Sequence, residues 1–168
     1  MKNPSGLPAD IEKKLYLCSG IFFAKMSCLQ NKSNDLITAA KLLHKNELYP
    51  AVAHSAYYCC IQLMKHIWLH SLHKTDDDLK AELKKYNGEA KLEKKREKGI
   101  HEFLIKITER YIRVNSKHRK DLCLFSGNIW QLRELRNDAD YLDNNFDVIK
   151  SGDALKLSSI IAPILQKY

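Results

Sequence analysis

Residues 39–68, AAKLLHKNELYPAVAHSAYYCCIQLMKHIW, decide the fold class. On both sides of Pro50 the apolar residues recur three and four positions apart, the period of an α-helix rather than a strand. Before Pro50, Leu36, Ala39, Ala40 and Leu43 form a narrow stripe, and Ser33 or Asn34 makes a good N-cap. A proline disfavours helical geometry in the residue before it, so this helix is expected to end near Asn46 to Tyr49. Pro50 suits the first turn of the next helix, expected over about Pro50 to Leu72. Ala53, Tyr57, Cys60 or Ile61, Met64 and Trp68 follow its spacing. It is apolar around much of its girth, which predicts a central position. The short turn between the two predicts antiparallel neighbours.

The same period extends outward in both directions. Towards the N-terminus a helix is expected from about Pro8 to Leu29, with Ile11, Leu15, Cys18, Phe22 and Met26 on one face and a break at Asn31 to Asn34. Towards the C-terminus, Ile100, Phe103, Leu104, Ile107 and Tyr111 predict a helix to Val114. Leu122, Phe125, Ile129, Leu132 and Leu135 or Arg136 predict another over Lys120 to Leu142. A final one is expected over Ser151 to Gln166, capped by Ser151 or Asp153 and kinked or shortened by Pro163. Lys74 to Gly99 is polar and lysine-rich. It reads as an insertion, holding at most a short exposed helix over Asp76 to Tyr86 that stops at Asn87 and Gly88. Strand alternation is nearly absent. The expected architecture is all-α, with an N-terminal helical extension over 1–32 and a bundle over 33–168 that carries the insertion at about 74–99.

Composition bounds the rest. A 168-residue chain, 45% hydrophobic and 29% charged, suits one folded domain and neither a disordered nor a membrane protein. No apolar run approaches the roughly 20 residues that span a bilayer. The first ten residues lack the charged-then-apolar order of an export signal, so the expected compartment is the cytoplasm. The five cysteines are odd in number and show no Cys-x-x-Cys pair, and they read as reduced, buried or half-buried thiols. The net charge of +8 is compatible with an anionic partner such as RNA, a nucleotide or an acidic protein. Much of that excess lies in the run Lys91 to Lys98, which reads as a solvated linker. There is no phosphate-cradling glycine loop and no Gly-x-Ser-x-Gly, and neither a metal nor a cofactor is expected.

The densest polar cluster is LRELRNDADY, residues 132–141. Arg133, Arg136 (or Asn137) and Asp140 lie three or four apart and share one helix face. Such a face is either a surface ion-pair ladder, worth little, or a site. Arg136 follows an apolar stripe with no loop between, which predicts a position at the core edge. Arg, Asn, Asp and Tyr packed into six positions are the side chains that orient a phosphate or a ribose. Of the adjacent Tyr57 and Tyr58, one is expected to face the core, leaving the other to reach Arg136 or Asp140. His54, one turn before Tyr58, is expected on that same face.

Taken in order and spacing, these strings resemble the HEPN domain family over about Ser33 to Tyr168. The features that carry the likeness are the helix from Ala40 to Ala53 leading into Ala56-Tyr57-Tyr58, His101 followed by Phe103, and Arg136 to Tyr141. The resemblance implies an up-and-down antiparallel bundle of four to five main helices, usually a homodimer with the arginine-bearing helices near the interface. Many members are metal-independent ribonucleases with Arg-Asn, three residues, then His. Here Arg136 and Asn137 match, while Tyr141 stands where the histidine belongs. Tyrosine, with an ordinary pKa near 10, is a poor proton-transfer group near neutral pH. The resemblance therefore implies a toxin–antitoxin or defence-type protein. It would bind a nucleotide, RNA or a small nucleotidyltransferase partner, with full ribonuclease activity as the alternative. A basic nucleotide- or RNA-binding module without catalysis is the third reading. Arg136, Asn137 and Tyr141 are the candidate catalytic residues, and Arg133, Asp140, Tyr57, Tyr58 and His54 the candidate binding residues. Such partners can transfer AMP to a tyrosine near the motif, and Tyr141 would be the acceptor here. His101, although part of the pattern, reads as a neighbour of a helix N-cap. His66, His70 and His73, at i, i+4 and i+7, read as structural or exposed rather than as zinc ligands.

Overall fold

The computed structural model describes residues 26–141 and 145–168, and among them the chain is an all-α bundle of six helices with no strand. We label these α1 (Cys28–Lys45), α2 (Tyr49–His66), α3 (Asp76–Leu92), α4 (Ile100–Asn115), α5 (Arg119–Tyr141) and α6 (Val148–Leu165). The N-terminal helix expected from Pro8 lies outside the described residues apart from its last few positions.

Helix α1 begins earlier than the sequence stripe predicts. Ser27 is its N-cap, and Ser27 and Gln30 form a reciprocal capping box. The helix therefore runs unbroken through Asn31 to Asn34, where the sequence predicts a break. Ser33, expected as a cap, is buried, with its hydroxyl 3.2 Å from Cys59 Sγ. Helix α2 starts with Pro50 in its first turn and is the hub, packing against α1, α4, α5 and α6. Val52, Ala56, Tyr57, Cys60, Leu63 and Met64 are buried along it. Its last turn widens into a π-helical segment, Ile67–Ser71. The backbone then turns left-handed at His73, φ 52°, so His73 does not extend the face of His66 and His70 as its spacing predicts.

Residues 76–92 correct the expected insertion. A second capping box, Thr75 with Asp78, opens α3, and the helix continues through Asn87 and Gly88 to Leu92. It buries Leu79 and Ala90 and rests on α4. Asp147, rather than Ser151 or Asp153, caps α6. Ser151 is instead buried, with its hydroxyl 2.8 Å from His44 Nδ1 on α1. Pro163 sits so near the helix end that α6 runs through it to Leu165.

Cys59 and Cys60 are buried, while Cys28 and Cys123 are exposed, contrary to the expectation of buried or half-buried thiols throughout. No described helix is long and apolar enough to cross a membrane.

Candidate nucleotide-binding site

Helix α5 carries Phe125, Ile129 and Leu132 into the core, each fully buried. The next position on that stripe is Arg136, four residues on. Its side chain is only 13% exposed, because the core stripe itself delivers it to the helix's end. Helix α2 presents two adjoining faces there. Tyr57 lies on the core stripe at 1% exposure. One face round, His54 and Tyr58 stack with ring centroids 4.4 Å apart.

These side chains close a ring across α2 and α5. The Arg136 guanidinium lies 5.9 Å from the Tyr58 ring centroid and 4.9 Å from that of Tyr141. Its Nε is 2.7 Å from Asp140 Oδ2, and that same oxygen is 3.3 Å from His54 Nδ1. The Nε–H does not point along the short line to Asp140 and forms no hydrogen bond among the described residues, so the contact is Coulombic. Arg136 Nη1 donates to Asn137 Oδ1 at 3.2 Å. Burial works against the Arg136 charge, but Tyr141 and Asp140 outweigh it and its pKa moves up.

Beside the ring lies a cleft of about 240 Å³ lined by Tyr57, Gly99, Ile100, His101, Glu102, Arg133, Arg136 and Asn137. It gathers Arg133, Arg136, Asn137 and Tyr57. It leaves His54, Tyr58, Asp140 and Tyr141 at its flank, with Tyr141 71% exposed. Arg133 leans over the Trp130 ring at 5.5 Å and stands 3.7 Å from the buried Glu102, which Arg96 also neutralises.

His101 is the residue that helix-cap reasoning undervalued. As the second residue of α4 it meets Tyr57 at 5.7 Å and Tyr58 at 5.4 Å, ring centre to ring centre. Burial, then the charges of Arg136, Arg133 and Lys65, hold its imidazole below the ordinary 6.5, so it is neutral at pH 7. Burial likewise pushes the Tyr57 phenol up to about 12, against the pull of Arg133 and Arg136. The family pattern, His followed by an aromatic, was the only signal that could have found His101.

A larger groove of about 440 Å³ runs between α5 and α6, but Glu134, Asp138 and Asp153 outnumber Lys156 in its lining, and the excess of negative charge would repel a phosphate. His66 and His70 approach within 4.7 Å, with Nδ1 of His66 held 2.8 Å from the Ser27 hydroxyl. Among the described residues no three His, Cys, Asp or Glu side chains gather as a metal site.

The cleft can thus offer two guanidiniums, a neutral imidazole, an amide and a phenol donor to an anionic ligand. Comparison of the chain with protein-family models, curated proteins and solved structures finds no match to any of them.

Proposed function

We propose that the chain is a cytoplasmic, HEPN-like protein of the toxin–antitoxin or defence type that binds the phosphate of a nucleotide or RNA in the cleft between α2, α4 and α5. One observation carries this reading: Arg133 and Arg136 both line a concavity into which no unpaired carboxylate projects. Guanidiniums recognise phosphate bidentately, and the flanking Tyr58, Tyr141 and His54 rings give a base surfaces to stack on. The net charge of +8 assists the encounter. The exposed Tyr141 phenol is accessible to a nucleotidyltransferase partner of the kind the resemblance implies.

The test is fluorescence anisotropy with a labelled single-stranded RNA over a salt series. Binding should weaken with salt, and Arg136→Ala should reduce affinity about tenfold or more. Affinity unaffected by both Arg133→Ala and Arg136→Ala would overturn the reading.

His101 favours a second reading, metal-independent ribonuclease activity. A neutral imidazole in the cleft is a proton-transfer group that Tyr141 cannot replace. Cleavage that persists in a chelator and disappears in both Arg136→Ala and His101→Gln would support it. Equal cleavage by parent and variants would remove it.

A further inference from the structure

The first turn of α4 lines the cleft together with the two arginines, and that helix starts without a side-chain cap. Gly99 occupies the N-cap and has no side-chain oxygen to offer. The first intrahelical bond is donated by Phe103 N to Gly99 O, at 3.0 Å. The N–H groups of Ile100 and His101 stand before it at the positive end of a 16-residue helix. Both residues line the cleft.

A second, independent observation points to a ligand in the same place. Tyr57 is 1% exposed, lines the cleft, and its hydroxyl has no hydrogen-bond partner among the described residues. A buried polar hydrogen left unpaired costs free energy that an incoming acceptor would recover. The hydroxyl remains protonated near neutral pH and can only donate to an anion.

The geometry points to a terminal phosphate monoester, the phosphorylated end of an RNA or nucleotide, as the group this cleft takes, rather than an internal phosphodiester of a continuous strand. The inference rests on the nucleic-acid reading above and narrows it. Size argues for it first. At about 240 Å³ the cleft falls below the roughly 300–1,000 Å³ of pockets that hold whole drug-sized ligands, so it suits one phosphate group with its base outside. Charge argues next. A monoester carries roughly −1.5 to −2 near pH 7 and a diester a single negative charge; with Glu102 of the lining held by Arg96, the two arginines and the positive end of α4 favour the more highly charged group. The donors argue last. Tyr57, the first turn of α4 and both arginines line the same small cleft. A group with three free oxygens can meet more of these donors at once than a diester, which has only two.

The experiment compares one RNA tetramer in three forms, with a 5′-phosphate, with a 3′-phosphate, and with hydroxyls at both ends. Each is titrated against the full chain and against Tyr57→Phe. At least one phosphorylated form should bind about tenfold tighter than the unphosphorylated one, and which form does so identifies the end. Tyr57→Phe should shrink that ratio to about twofold or less, while its thermal midpoint, at or above the parent's, confirms that it folds. Equal binding of all three tetramers overturns this inference and leaves the nucleic-acid reading standing. So does a phosphate preference that survives Tyr57→Phe. Failure of every tetramer to bind the parent overturns both.

Discussion

Arg136 and Asp140 stand one turn apart on α5, the guanidinium Nε 2.7 Å from the carboxylate, and this pairing sets how much positive charge the cleft presents. Asp140 lies at the flank of the cleft rather than in its lining. Replacing it with Asn should leave Arg136 in place on the Tyr58 ring and strengthen RNA binding about threefold at low salt, an effect lost by roughly 0.5 M salt. Because the pair is partly exposed, stability should change by about 1 kcal/mol or less. An anisotropy titration showing weaker binding by Asp140→Asn would mean that the carboxylate contacts the ligand itself.

Tyr57 trades stability for the cleft. Its buried hydroxyl has no partner in the bundle, so Tyr57→Phe should stabilise the free protein by about 1 kcal/mol. In a chain of this size that raises the thermal midpoint by roughly 2–4 °C. A lowered midpoint in calorimetry would show that the hydroxyl is already satisfied.

Acid should destabilise the fold through two histidines. Burial and neighbouring charge lower the pKa of His101 and of His66 below 6.5 in the folded chain. The unfolded chain therefore takes up protons first as pH falls. The stability tied to neutral imidazoles is whole above pH 6.5 and declines as pH drops through that value towards the folded pKa values. Denaturant midpoints between pH 7.5 and 5 should fall, and His101→Gln should flatten the slope. An identical slope in the variant would refute the contribution of His101.

Ser27 both caps α1 and meets His66 on α2. Ser27→Ala should cost about 1 kcal/mol. Chemical denaturation showing no loss would mean that the capping box does not persist in solution.

Thiol labelling reads the core directly. Cys28 and Cys123 should react with iodoacetamide in the native protein, and Cys59 and Cys60 only after unfolding. Its hydrogen bond with Cys59, and then burial, also hold the Cys60 thiol in its protonated, unreactive form. Peptide mass spectrometry showing early modification of Cys60 would contradict the packing of α2.

The bundle was legible where side-chain period and burial agree. The stripes of α2 and α5 fall where residues three and four apart predict, and Arg136 at the core edge follows from the stripe before it; α4 is rotated from its expected stripe, burying Leu104, Ile105, Thr108 and Ile112 while Ile100 is exposed and Ile107 and Tyr111 are half-buried. The start of α1 was missed although its signature, Ser27 followed by Gln30, is local. The polar residues Asn31 to Asn34 resemble a break, while in the fold Ser33 among them is buried against Cys59 on α2. Helix α3 was cut short because Asn87 and Gly88 carry a stop signal that tertiary contact overrides. Asn87 donates to the Lys98 carbonyl and accepts from the Lys98 N–H, both at 2.9 Å. At the site, the arginines were visible from their spacing. The convergence of His101 with Tyr57 and Tyr58 depends on how α4 lies across α2, which no local pattern encodes.

That two-way clasp between Asn87 and Lys98 has a mechanical consequence. Lys98 also donates to the Tyr86 hydroxyl at 2.6 Å, so the strand of chain entering α4 is moored to α3 at two points. Gly99 and the first turn of α4 inherit their position from this mooring. The lysine-rich stretch that looks like padding is the doorpost of the cleft, and a cut or a proline introduced between Lys94 and Lys98 would loosen the doorway without touching any residue inside it.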